Sequence, residues 1–82
     1  MRTELKEKTL IFVTGGYYLA TVTGTKHYLA IRSEPDYYNS IELAELHNGT
    51  HVTVLSAPSD SWYWIVKGPD GTIGYVNKRF LK

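Results

Sequence analysis

The sequence predicts an all-β fold, a small barrel or sandwich of short antiparallel strands. Three observations lead there. The apolar residues fall in short runs rich in β-branched and aromatic side chains, which suit a pleated surface. Clusters of Gly, Pro and Asn punctuate those runs at turn positions. No stretch carries apolar residues at helical spacing for the length that a stable helix needs.

Residues 1–9 are mostly polar, with charges of both signs, and read as a solvated leader or the end of a linker. Leu10-Ile11-Phe12-Val13-Thr14 reads as a strand, Gly15-Gly16 as a tight turn and Tyr17 to Thr23 as a second strand. Residues 10–23 therefore form a candidate hairpin. Gly24-Thr25-Lys26 turns the chain, and Tyr28 to Arg32 is a short strand with alternating faces. Residues 33–40 form a loop, in which Pro35 removes a donor and biases Glu34 towards extended backbone. Ile41 to Leu46 is too short for an independent helix and is expected as an irregular approach to a strand.

Asn48-Gly49 signals a turn, and Thr50 to Leu55 is the next strand, with Val52 and Val54 facing one way. Ala57 to Asp60 turns into Ser61-Trp62-Tyr63-Trp64-Ile65-Val66, the stretch that holds both tryptophans. Alternation sends Trp62, Trp64 and Val66 to one face and Ser61, Tyr63 and Ile65 to the other. Both faces are apolar, so this strand is either covered on both sides or displays aromatics to a partner. Lys67-Gly68-Pro69-Asp70-Gly71 is a hairpin loop, and Thr72 to Val76 returns antiparallel. Residues 77–81 end as a 3₁₀ turn and a last short strand.

Composition narrows the function classes. Eighty-two residues make one domain with a small core. No cysteine is present, which excludes disulfides and thiolate metal sites and leaves the redox compartment undetermined. Nine Lys plus Arg against eight Asp plus Glu give a net charge of +1, and no stretch concentrates one sign. A nucleic-acid binder needs a basic stripe, so an RNA-binding barrel is disfavoured despite the aromatics. Apolar runs such as Leu10 to Val13 are shorter than a membrane span or a signal-peptide core, so membrane insertion is not expected.

No catalytic constellation is legible. No serine sits in a nucleophile elbow, and no glycine loop can cradle phosphate. His47 and His51 have the spacing of a zinc helix, but Asn48-Gly49 between them makes a turn, and no carboxylate completes a site with His27. Asn48-Gly49-Thr50 matches a glycosylation sequon and reads as a turn. We therefore expect no enzyme activity, no metal and no cofactor.

Several segments carry a resemblance. Leu29-Ala30-Ile31-Arg32-Ser33-Glu34-Pro35, Asn48 to Leu55, Ser61-Trp62-Tyr63-Trp64-Ile65 and Gly74 to Leu81 fall in the order of the motifs of bacterial SH3-like (SH3b) domains. Ala20-Thr21-Val22-Thr23 is similar to that family's first strand. The resemblance spans about residues 18–81. It implies a partly open barrel of five to six short antiparallel strands over 18–82, preceded by an extension over 1–17 with an extra strand at about 10–14. It also implies a targeting or interaction module of the kind that accompanies cell-wall hydrolases and surface proteins, some of which bind peptidoglycan peptides. The compartment would then be the cell envelope or the exterior, although the chain shows no signal peptide. Three departures stand out: Glu34 replaces a glycine, Trp64 a lysine and Phe80 a tyrosine.

From the matched positions, Tyr63 and Ile65 are expected in the core, with Trp62 and Trp64 turned outward. Tyr75 is expected on that outward face, within cross-strand reach of Trp64. Such aromatics either form a contact surface or are covered by Ile11 and Phe12. A second cluster, Trp62, Tyr37, Tyr38 and Phe80, is expected to line one groove for a peptide-like ligand, with Asp36 and Glu34 favouring a cationic group. The rival expectation is an assembly domain. In it Leu10 to Val13 adds a strand to a neighbour, and the aromatics form a protein interface or a homodimer.

Overall fold

The computed structural model describes residues 17–82. The strand expected at 10–14 and the Gly15-Gly16 turn lie outside the described residues.

Six strands make up the described fold: β1 (Tyr18–Thr21), β2 (Leu29–Arg32), β3 (Glu42–Leu46), β4 (His51–Ser56), β5 (Tyr63–Lys67) and β6 (Ile73–Asn77). A 3₁₀ turn, Lys78–Phe80, follows β6. The strands form one open antiparallel sheet in the order β1-β4-β5-β6-β2-β3. The all-β expectation holds at this level. Ile41 to Leu46 differs in detail: Glu42–Leu46 is a regular strand paired along β2, with Leu29 opposite Leu46 and Ile31 opposite Ala44. The partner ladder supplies backbone hydrogen bonds that this segment does not advertise by itself.

The sheet curls. Residues 47–50 alone join β3, at one edge, to β4, which lies next to the other edge. Four residues reach at most about 14 Å, so those edges must approach one another. The Gly49 amide donates to the Val22 carbonyl at 2.7 Å. The Asn48 side chain accepts from the Thr25 amide and hydroxyl and donates back to the Thr25 carbonyl. On the other side of β1, Thr21 and Lys82 exchange two backbone hydrogen bonds of 2.9 Å, and the Thr23 amide donates to the Phe80 carbonyl.

Inside the curl lies the core: Ala20, Val22, Leu29, Ile31, Leu46, Val52, Val54, Val66 and Val76. The register stacks Ala20 on Val52 and Val54 on Val66. Gly74 permits the tightest crossing. A Cβ there would lie 2.5 Å from the Arg32 carbonyl oxygen and 2.7 Å from Ile31 Cγ2, so β6 meets β2 only because position 74 has no side chain.

The alternation at 62–66 holds, but the expected inward face is corrected. Val66 is fully buried and Trp64 packs against the core, whereas Tyr63 and Ile65 lie outside the core cluster. Val54 and Val76 sit directly opposite Val66 and Trp64, and these small β-branched neighbours fix which face is inside. Trp64 is covered at its margin by Tyr18, edge-on at 6.5 Å, and its indole N–H donates to the Pro58 carbonyl.

Candidate functional site

The face of β2, β5 and β6 opposite the core carries an open groove of about 210 Å³. Alternation along β2 sends Leu29 and Ile31 inward and leaves Tyr28, Ala30 and Arg32 to this side. Ala30 is buried beneath the groove, and its small side chain leaves the space above it open. Tyr63 and Asn77, a direct cross-strand pair, contribute from β5 and β6. Tyr37 closes one side from the 33–41 loop, and Arg79 and Phe80 close the other from the 3₁₀ turn.

Arg32 holds the loop side. Its side chain is only 11% exposed, and its guanidinium donates to the Tyr37 carbonyl, the Ser40 hydroxyl and Glu42 Oε2. The guanidinium also lies 4.3 Å from the centre of the Tyr37 ring, within cation–π range. The other Glu42 oxygen accepts from the Tyr28 hydroxyl at 2.7 Å, a bond that raises the Tyr28 pKa and keeps that phenol a donor. Asp36 organises the loop tip. Its carboxylate accepts from the Tyr38 and Asn39 amides and from the Asn39 side chain. The Asn39 side-chain bond, followed by the two amides, holds its carboxyl below the usual carboxylate range.

The 3₁₀ side differs. Its backbone is satisfied locally: the Lys78 amide donates to the Trp62 carbonyl, the Arg79 amide to Asn77 Oδ1 and the Leu81 amide to the Lys78 carbonyl. The Arg79 guanidinium lies over the Phe80 ring at 5.2 Å and has no acidic partner among the described residues.

No family model, no curated protein and no solved structure matches this chain.

Of the residues expected in the groove, Tyr37 and Phe80 line it. Trp62 is 71% exposed and borders a separate depression of about 260 Å³ with Ser59, Asp60, Ser61 and Lys78. Tyr38 is 87% exposed, standing edge-on to Tyr37 at 5.1 Å rather than lining the groove. The Asp36 carboxylate bonds within its own loop, and Asp36 is not among the residues that line the groove. Trp64 and Tyr75 do not meet across the strands: Tyr75 pairs with Ile65 and Arg32, on the face away from Trp64. Sequence reasoning missed Tyr28, Ala30, Arg32, Tyr63, Asn77 and Arg79. The alternating positions 28, 30 and 32 were the available signal.

His47 lies near Glu45 and tilts against the Tyr28 ring, while His51 bonds the Thr21 hydroxyl. Among the described residues no group of His, Cys, Asp or Glu is arranged to hold a metal.

Proposed function

We propose that this chain is a non-catalytic binding module of bacterial SH3-like type that takes a peptide-like ligand, foremost a cell-wall peptide, in the groove over Ala30. One observation carries the reading. Rings from four separated positions, Tyr28, Tyr37, Tyr63 and Phe80, converge on one open groove whose walls are tied down by backbone and side-chain hydrogen bonds. Rigid aromatic walls give contact area at low entropic cost. The curl of the sheet and the 3₁₀ turn before the last paired residues support the partly open barrel of that family.

The test is a titration of wall fragments and of proline-containing peptides, followed by amide chemical shifts. Shifts clustered at Tyr37, Tyr63, Asn77 and Phe80 are expected. Shifts confined to the far side of the sheet, or none, overturn the reading.

A second reading, an assembly domain, draws on one further observation. Leu19 and Ile73, 69% and 54% exposed, occupy one cross-strand row with Thr53 and Lys67. Sedimentation at two concentrations separates the readings: a tight dimer favours assembly, and a monomer with quenchable Trp62 favours the groove.

A further inference from the structure

The groove's polar groups fall into two sets. Arg32, the Tyr28 hydroxyl and Asn77 Oδ1 already have partners within the fold. The unengaged set comprises the Arg79 guanidinium, the Asn77 side-chain nitrogen and the hydroxyls of Tyr37 and Tyr63, none with a hydrogen-bond partner among the described residues. A guanidinium and an amide nitrogen can only donate, and a phenol donates readily. The lining residues include two arginines and no carboxylate, and with Arg32 paired to Glu42 the uncompensated charge is that of Arg79. The site thus offers donors and positive charge beside aromatic surface, the reverse of the acidic rim expected from Asp36 and Glu34.

We propose that the groove selects peptide segments bearing a carboxylate, which seats on Arg79 while a neighbouring apolar side chain packs among Tyr37, Tyr63 and Phe80. A carboxylate is an acceptor-only group whose two oxygens match the guanidinium fork, and charge-assisted bonds of this kind are the strong ones. The Arg79 guanidinium carbon lies 5.2 Å from the centre of the Phe80 ring, within cation–π range, which places the charge beside the aromatic wall. The inference rests on the groove being the binding site, and it specifies what the groove prefers.

The test uses the full chain and three synthetic peptides. The first is acetyl-alanyl-prolyl-tyrosyl-alanine with a free C-terminal carboxylate; the second is the same peptide amidated. The third is the amidated peptide with glutamate in place of its last alanine. Amide shifts report both affinity and location. At least one acidic peptide is expected to bind about tenfold more tightly than the neutral one, the scale of a charge-assisted bond at a solvated site. Preference for the first peptide assigns the carboxylate to a chain terminus, and preference for the third assigns it to an acidic side chain. Arg79→Gln is expected to cut the preference to within about threefold, whereas Lys67→Gln, the same charge change on β5 away from the groove, leaves it intact. Equal binding of all three through the groove overturns the carboxylate preference and leaves the groove reading standing. Shifts absent from Tyr63, Asn77 and Phe80 at millimolar peptide overturn both.

Discussion

The loop over residues 33–41 and the 3₁₀ turn Lys78–Phe80 wall the same groove, yet one spends its polar side chains on itself and the other leaves them free. The loop is long, so many backbone groups need partners that no ladder supplies. Asp36, Ser33, Ser40 and Arg32 provide them. The 3₁₀ turn is short, and the Trp62 carbonyl and the Asn77 side chain satisfy its amides, so Lys78 and Arg79 remain available. Polar residues flanking a groove thus divide into those that build the wall and those that can meet a ligand, and hydrogen-bond accounting separates them where composition does not.

The largest expected effect comes from prising the two walls apart. Arg32 and Tyr75, direct partners, join β2 to β6 beside Gly74. Gly74→Ala places a methyl against the Arg32 carbonyl and the Ile31 side chain, both backed by the core. A cost of about 1–3 kcal/mol is expected from overpacking at this crossing, read by chemical denaturation. An unchanged midpoint would mean that the crossing relaxes freely.

Next comes the loop wall. Arg32→Ala removes three donated hydrogen bonds and the contact with the Tyr37 ring from a nearly buried position. We expect a loss of about 2 kcal/mol, with the strongest shift changes confined to residues 33–42. Arg32→Lys should recover only part of it, because an ammonium cannot reproduce the planar fork.

Much of the fold was legible beforehand, and the reasons for the misses are physical. Turn residues and alternation located β2, β4, β5 and β6, the 67–71 loop and the 3₁₀ turn. What alternation could not decide was the inward face of β5, because Trp62, Trp64, Tyr63 and Ile65 leave no polar side to mark the outside. That decision belongs to Val54 and Val76, which lie on other strands and enter only through register. The loop wall was opaque for a similar reason. Arg32 meets Ser40 and Glu42 eight and ten residues away, and no local spacing predicts that a surface-type cation will be held there. The engagement of Asp36 with Asn39 is likewise a property of the folded tip that no local spacing announces.

Acid should loosen one wall before the other. Asp36 titrates below the usual carboxylate range in the folded state because the Asn39 side chain and two amides bond its charged form. Its contribution is therefore complete above the carboxylate range of the unfolded chain and fades as pH falls through the lower, folded value. Amide signals of Tyr38 and Asn39 are expected to shift in acid with a midpoint below that of free aspartate, and Asp36→Asn should abolish that step. Asp70, also held low through Thr72, titrates in the same range, so the readout must be these two amides rather than global stability.

The smallest effect is the sharpest test of the contrast. If Arg79 contributes nothing to the wall, Arg79→Gln should leave stability within about 0.5 kcal/mol of the parent, as expected for an exposed side chain with no hydrogen-bond or ion-pair partner among the described residues. The amide spectrum should change only near the 3₁₀ turn, since its backbone hydrogen bonds involve Trp62 and Asn77 rather than the guanidinium. The contact with Phe80 works against neutrality, but cation–π pairs in solvent are worth about 0.5–1 kcal/mol at most. A loss clearly above 1 kcal/mol would place Arg79 among the builders of the wall, and the distinction between the two sides of the groove would collapse.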